Sequence, residues 1–154
     1  MMNDSIPIIR HATSADLAEI HAMQQTWEQE HTVWGYRANS REELQAMSPT
    51  MMWIVEIQGQ VIGYALCQQA PPQERAIAEH NDTILEIEDL YIQPPYRNRG
   101  YGSQLVKAIE AWGREHGYQK LLIYSSVKNL ARILAFYQQQ GFSGWNIRMF
   151  KPLS

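Results

Sequence analysis

The stretch from Thr83 to Gly102, "TILEIEDLYIQPPYRNRGYG", decides the fold. Its first ten residues are rich in β-branched and apolar side chains and predict a long strand. Two prolines and a turn with two glycines follow. Beyond the turn, Leu105, Ile109 and Trp112 recur at i, i+4 and i+7, which predicts a helix from about 102 to 116. The stretch therefore predicts a strand, a glycine-rich turn and a helix in succession.

The rest of the chain predicts strands and helices on both sides of this unit. "IPIIRHA" predicts a strand, and "TSAD" resembles the start of a helix that runs to about Gln29. Ser40 and Glu43 begin a shorter helix, and "MMWIVEI" and "VIGYALC" form a hairpin with Gly59 at its turn. "KLLIYSSV", "LARILAFYQQQ" and "WNIRMFK" predict a strand, a helix and a last strand. The alternation of strands and helices implies a parallel pair within a mixed α/β sheet.

Composition narrows the class of protein. The 154 residues, of which 45% are hydrophobic, predict one domain over 1–154. A net charge of −3 argues against broad nucleic-acid binding, so an anionic ligand must be held locally. Cys67 is the single cysteine and pairs with no other in this chain; the histidines show no zinc spacing, so no metal is expected. Without a leader or a long apolar run, the chain is expected to be cytoplasmic and not membrane-bound.

The turn places arginines and glycines at the head of a helix. The first N–H groups of a helix have no partner within it, and the helix dipole favours an anion there. Gly100 and Gly102 would allow unusual φ and close approach of phosphate oxygens, while Arg97 and Arg99 would add charge. The turn lacks the lysine of a nucleoside-triphosphate loop and the third glycine of a dinucleotide loop. An ordinary turn remains the alternative.

These residues resemble a known family. "RNRGYG" is similar to the pyrophosphate-binding motif of the GNAT superfamily of acyl-CoA-dependent N-acetyltransferases, and "IRHATSADL" and "LARILAFYQQQGF" resemble its first and last conserved segments. The resemblance implies a mixed central sheet with helices on both faces and a V-shaped opening between two central parallel strands. It implies acetyl-CoA (coenzyme A) as the cofactor. More weakly, "EDL" and the closing "GWNIRMFK" resemble the diamine and polyamine acetyltransferase branch.

The resemblance also implies which residues hold the cofactor. One departure from the family is that Asn129 lies eight residues before Tyr137, where the family has an asparagine seven before. The implied cofactor-binding residues are Leu90, Tyr91, Ile92, Arg97, Asn98, Arg99, Gly100, Tyr101, Gly102, Ser103 and Asn129.

Acyl transfer to an amine of pKa about 10.4 needs a proton acceptor. Alternation along the strand puts Glu86 and Glu88 on one face and Asp89 on the other, unless a bulge intervenes. By resemblance to the polyamine branch, Glu88 ranks first as base, Glu86 second, and Asp89 helps to bind a cation. Five acids between Glu79 and Asp89 precede the basic turn, although a solvated strand face would look the same.

A departing thiolate needs a proton donor, and Tyr137 is the candidate acid by resemblance. The alternative is a core tyrosine, because Leu130, Ile133 and Leu134 share its helical stripe. An aromatic segment borders the acceptor cleft in the family; its members here are Trp27, His31, Trp34 and Tyr36.

The sequence thus predicts an N-acetyltransferase that acts by direct attack on a primary amine, with a small polyamine-like cation as the first choice of acceptor. The other acceptors are an amino acid, an aminoglycoside or a protein amine. The alternatives from other classes are a catalytically silent acyl-CoA-binding regulator and a plain interaction module. Because one closing strand leaves a sheet edge open, a homodimer is also predicted.

Overall fold

The computed structural model describes residues 5–71 and 82–154. These residues form five strands and four α-helices. The strands are β1 (Ile8–His11), β2 (Met52–Ile57), β3 (Gln60–Gln69), β4 (Ile84–Ile92) and β5 (Lys120–Ile123). The α-helices are α1 (Leu17–Glu30), α2 (Arg41–Ala46), α3 (Tyr101–Glu115) and α4 (Leu130–Gln139).

The strands form one sheet in the order β1-β2-β3-β4-β5. The first three pairings are antiparallel, and β4 and β5 are parallel. The crossover between β4 and β5 contains α3, as the strand, turn and helix of the sequence predicted. The mixed α/β sheet is therefore confirmed.

The predicted start of α2 and the predicted turn between β2 and β3 are both confirmed. Ser40 Oγ accepts from the backbone N–H of Glu43, and Glu43 accepts in return from the N–H of Ser40, which completes a capping box at α2. Gln58 and Gly59 both have positive φ, at 51° and 79°, and close the β2–β3 hairpin.

Apolar side chains cover both faces of the sheet. One core joins Ile20 and Met23 of α1 and Leu44 of α2 to strand residues that include Ile54. The other joins Leu105 and Ile109 of α3 to the opposite face, where Cys67 is also buried. Helices on both faces of the sheet hold the strand ends in place.

The central parallel pair opens at one end. β4 and β5 pair only from Ile84 with Lys120 to Ile87 with Ile123, and β4 continues for five residues beyond β5. Because β3 pairs with the other edge of β4, the edge of residues 88–92 that faces the opening has no strand partner among the described residues. The predicted V-shaped opening lies here.

One predicted strand is absent. Residues 143–154 form no helix or strand, so the prediction of a last strand at "WNIRMFK" is wrong. Side chains in this segment, such as Ile147 and Met149, are exposed. No helix among residues 5–71 and 82–154 is long and apolar enough to cross a membrane.

Gly63 of β3 packs closely against β4. A Cβ placed there would lie 2.5 Å from Ile92 Cδ1 and 2.7 Å from the Tyr91 carbonyl oxygen. Gly63→Ala should therefore lower the free energy of unfolding by about 1–3 kcal/mol, measured by urea denaturation. Gly144→Ala is the matched control, because a Cβ there meets nothing within 4 Å. Equal stability of the two variants would contradict this packing.

Candidate active site

A cleft of about 430 Å³ lies at the opening between β4 and β5. Its walls include the end of α1, the segment after it, the outer part of β4, the segment after β5, and α4. The segment after α1 is held against the segment after β5: Trp34 N donates to the Ser126 carbonyl at 2.9 Å, and Lys128 N donates to the Thr32 carbonyl at 2.9 Å. These two hydrogen bonds join two walls of the cleft.

A β-bulge sets the positions of the three acids of β4. Leu66 pairs with Asp89 and Cys67 pairs with Ile87, so Glu88 is an extra residue in the ladder. Glu88 and Asp89 both line the cleft. The bulge is the exception that the sequence prediction allowed, and it interrupts the alternation that would have separated these two acids.

Glu86 lies outside the set of residues that line the cleft. Its carboxylate accepts a hydrogen bond of 3.0 Å from Gln68 on β3. Its candidacy as a base therefore loses support from the geometry. Glu79, the first acid of the predicted cluster, lies outside the described residues.

Asp89 is held by three donors on one oxygen. Oδ2 accepts from Tyr64 Oη at 2.9 Å, Gln24 Nε2 at 3.1 Å and Tyr36 Oη at 3.2 Å. Gln24 is fixed in turn by Asn39, whose Oδ1 accepts from Nε2 at 2.9 Å. Burial raises the pKa of Asp89 above its ordinary value, and the three hydrogen bonds oppose that rise.

The sequence did not identify Gln24 and Tyr64 as site residues. Gln24 is fully buried in the apolar stripe of α1, where a glutamine needs a polar partner. Tyr64 is also fully buried, on β3. Gln24 could have been identified from the sequence, because a glutamine within an apolar helical stripe indicates a buried polar group that needs a partner. Tyr64 could not, because an aromatic residue in a strand is common in the core.

Glu88 is more exposed to solvent than its neighbour Asp89. Its pKa is raised by desolvation first, and then by the charges of Glu86 and Asp89. A carboxylate with a raised pKa is a better proton acceptor near neutral pH.

Tyr137 projects from α4 into the cleft. Leu130 and Leu134, which share its helical stripe, are 52% and 45% exposed. The stripe is therefore not a buried core face as a whole. Burial raises the pKa of its phenol, which keeps the hydroxyl protonated at neutral pH. The hydroxyl has no hydrogen-bond partner among the described residues and keeps accessible surface. It is free to donate to a ligand.

The backbone of the glycine-rich turn leads directly into α3. Asn98 and Gly100 have positive φ, at 61° and 84°, and Gly100 is the N-cap of α3. The first backbone bond of the helix runs from Gln104 N to the Gly100 carbonyl, so the N–H groups of 101–103 precede it. Arg99 is exposed and has no polar partner among residues 5–71 and 82–154.

The side chains of the turn depart from prediction at Arg97. Its guanidinium pairs with Glu30 at 2.8 Å, donates to the Ile92 carbonyl at 2.8 Å and lies 5.2 Å from the Tyr91 ring centroid. Arg97 therefore stabilises the turn through these contacts, and the predicted contact of its side chain with an anion stays a prediction. Arg132 of α4 donates to Asn98 Oδ1 at 2.9 Å.

Three other predicted cofactor residues also have structural contacts. Gly102 is helical, with its Cβ position 3.4 Å from Phe136, so it permits packing of α4 on α3 and does not supply an unusual φ. Ser103 Oγ accepts from Gln140 at 2.8 Å. Asn129 caps α4 through the N–H of Arg132.

The aromatic segment reaches the cleft in part. Trp27 stacks near Tyr36 and Tyr91, at centroid distances of 4.5 Å and 5.2 Å, and lines the cleft. Trp34 lines it too. His31 ends α1 with φ of 54° and is exposed outside the cleft lining, which corrects its predicted place at the acceptor.

Comparison with known proteins gives one family. The model of the acetyltransferase (GNAT) family matches residues 17–142. The chain is 28% identical over 111 residues to the uncharacterized N-acetyltransferase MJ1207 of Methanocaldococcus jannaschii, a match that covers 66% of this chain. The match covers 45% of that protein's length.

Solved structures share the fold. Aminoglycoside N-acetyltransferase AAC(6')-Iy in complex with CoA gives a TM-score of 0.74 at 18% identity, over 99% of this chain and 97% of that one. An aminoglycoside acetyltransferase, meta-AAC0020, from an uncultured soil metagenomic sample in complex with sisomicin gives 0.68 at 14% identity, over 96% and 97%. The TM-scores show a shared fold.

The raised pKa of Asp89 has a consequence for stability. The folded protein binds the carboxyl proton of Asp89 more tightly than the unfolded chain does. Protonated Asp89 therefore adds to the free energy of unfolding at low pH, and this contribution is lost as pH rises through the pKa of the folded state. The stability of Asp89→Asn relative to the parent should therefore increase as pH rises above the ordinary range of an aspartate, as measured by urea denaturation at a series of pH values.

Glu43→Gln is the control, because the pKa of Glu43 is shifted in the opposite direction to that of Asp89. Arg37 lowers the pKa of Glu43 to about 2, so its contribution is present at neutral pH and is lost in acid. This variant should be less stable than the parent at pH 7. A stability difference for Asp89→Asn that does not change with pH would contradict the raised pKa.

Proposed function

The chain belongs to the acetyltransferase (GNAT) family, and we propose that it transfers an acetyl group from acetyl-CoA to a primary amine. The observation that carries this proposal is the cleft, where Glu88 of the bulge and Tyr137 of α4 line the same opening. A carboxylate with a raised pKa and a protonated phenol are the base and acid that such a transfer uses.

The residues present fit coenzyme A. The turn from 97 to 103 offers the N–H groups of 101–103 and the free charge of Arg99 to a pyrophosphate. The unpaired edge of β4, from Glu88 to Ile92, offers backbone groups to an extended chain such as pantetheine. When bound, acetyl-CoA supplies the activated acetyl group.

The protein's own part is proton transfer and orientation. Glu88 accepts a proton from the acceptor ammonium, directly or through a water, so that the amine has a free lone pair. A backbone N–H near Leu90 would donate to the thioester carbonyl oxygen, as the resemblance to the family implies. Tyr137 then gives its proton to the sulfur as the bond between sulfur and the acetyl carbon breaks, and its phenolate takes the extra proton of the acylated nitrogen. Removing the phenol should slow the transfer without abolishing it, because a thiolate with a pKa near 8.5 is a fair leaving group.

The acceptor we favour is a small polyamine-like cation, because Glu88 and Asp89 make the cleft acidic. An aminoglycoside is the next candidate, since structural neighbours act on this class of amine. Amino acids and protein amines follow. We place the reaction in the cytoplasm.

We also propose a homodimer. Eight exposed large apolar or aromatic residues line one groove between β5, α4 and residues 143–150: Trp34, Tyr124, Leu130, Leu134, Trp145, Ile147, Met149 and Phe150. β5 pairs only with β4 among the described strands. An apolar surface beside an open sheet edge favours a second copy as its partner.

Kinetics of two variants test the transfer. Thiol release from acetyl-CoA is measured with polyamines, amino acids, aminoglycosides and peptide amines as acceptors. Glu88→Gln should lower kcat by roughly 10²–10⁴ and remove the acidic limb of the pH profile, which lies above the ordinary glutamate range. Tyr137→Phe should lower kcat by a smaller factor. Unchanged rates in both variants would overturn these roles.

A binding control separates the enzyme from the silent regulator. Acetyl-CoA should raise the melting temperature of the parent and of both cleft variants, and should not raise that of Gly100→Glu, in which a side chain replaces glycine at φ of 84°. A thermal shift without thiol release from any acceptor would favour the regulator. No shift in the parent would favour an interaction module.

The dimer is tested by light scattering. The parent should have twice the mass of the chain, and Trp145→Arg should have the monomer mass because it places a charge in the apolar groove. Ile6→Arg is the control, since Ile6 is 88% exposed and lies outside the groove. A monomeric parent would refute the proposal.

A further inference from the structure

Glu30 is an acid at the end of a helix where an acid is unfavourable. It is the last residue of α1, and the last turn of that helix contains no basic residue. The carbonyl end of a helix carries partial negative charge, so α1 by itself disfavours a carboxylate there. The side chain is only 18% exposed, and a carboxylate that is largely removed from water needs a compensating charge. Glu30 therefore depends on a cation from another part of the chain.

Arg97 supplies that cation. Its Nη2 lies 2.8 Å from Oε1 of Glu30 and 3.0 Å from Oε2. The same guanidinium donates through Nε to the Ile92 carbonyl at 2.8 Å and lies 5.2 Å from the ring centroid of Tyr91. Tyr91 is buried and packs on Trp27 of α1 at a centroid distance of 5.2 Å. Contacts from α1 and from the end of β4 therefore fix the orientation of this side chain.

The turn that follows Arg97 has an unusual backbone. Asn98 and Gly100 have φ of 61° and 84°, and Asn98 is not a glycine. A left-handed conformation is less favourable for asparagine than for glycine, and it persists where the surrounding structure imposes it. Arg132 of α4 donates to Asn98 Oδ1 at 2.9 Å on one side, and Arg97 is held by α1 and β4 on the other. The conformation of the turn therefore depends on contacts with neighbouring elements.

We propose that Glu30 is a positioning residue for the cofactor: by holding Arg97, it fixes the turn of residues 97–100 in the conformation that presents the N–H groups of 101–103 to a pyrophosphate. This inference rests on the proposed transfer from acetyl-CoA and adds a residue of α1 to the cofactor side of the site. Glu30 acts through Arg97 and not on the ligand, because two anions repel each other. An acid that only neutralised Arg97 would have the opposite effect, since its removal would free a cation for the phosphate.

Calorimetric titration of the whole chain with CoA measures this effect without the reaction. Glu30→Gln should bind CoA roughly tenfold more weakly than the parent, the effect expected when a hydrogen bond between charged groups is lost. Glu28→Gln is the matched control, because it removes the same charge from the same end of α1 at an exposed position. It should bind CoA as the parent does. Binding to Glu30→Gln that is equal to or tighter than binding to the parent would overturn the inference.

A double variant tests whether Glu30 acts through Arg97. Lysine keeps the positive charge but lacks the planar fork that contacts Glu30 and the Ile92 carbonyl together. Arg97→Lys should therefore weaken CoA binding by a factor similar to that of Glu30→Gln. Because the two residues act as one unit, the double variant should lose about as much affinity as either single variant. Losses that multiply would show independent effects and overturn the inference.

Michaelis constants distinguish positioning of the cofactor turn from a general loosening of α1, the helix that also carries Trp27 of the cleft. Glu30→Gln should raise the KM for acetyl-CoA, with kcat and the KM for the amine nearly unchanged. An equal rise in both KM values would show loosening of α1 and overturn the inference. If the parent binds CoA but acetylates no amine, the proposed transfer fails and calorimetry alone decides this inference. A parent that binds no CoA overturns both.

Discussion

In the middle of β4, Asp89 pairs with Leu66 while Ile87 pairs with Cys67, and Glu88 is left over between them. This extra residue changes which side chains reach each face of the sheet. Leu85 and Ile87 pack against α3 before the bulge, and Leu90 and Ile92 pack there after it. Without the bulge, Asp89 would share the α3 face with Ile87. The bulge therefore brings Asp89 to the side of Tyr64 and Gln24.

The same region of β4 has a second consequence. β5 ends beside Ile87, one residue before the bulge, so the pairing of the central parallel strands stops where the acids begin. The free backbone edge and the two carboxylates thus occupy the same few residues. The proposed acyl transfer would bring an extended ligand and a cationic ligand together at this point of the sheet.

The sequence predicts most of the fold because its signals are local. The capping residues of α2, the hairpin at Gly59 and the apolar repeat of α3 each depend on a few neighbouring residues. The partners of Asp89 come instead from positions 24, 36 and 64, and no local pattern links these to residue 89. Arg97 is a similar case, since its motif indicates an anion but its partner Glu30 is 67 residues away.

The ion pair of Arg97 joins the two halves of the site. Glu30 ends α1, the helix that carries Gln24 and Trp27, while Arg97 opens the turn that leads into α3. Arg97 also donates to the carbonyl of Ile92, at the end of the strand that carries the acids. The guanidinium of Arg97 therefore connects α1, β4 and the turn that precedes α3. An arginine of this motif can thus hold the backbone of the turn in place through its contacts with Glu30 and the Ile92 carbonyl, whichever groups of the turn bind a phosphate.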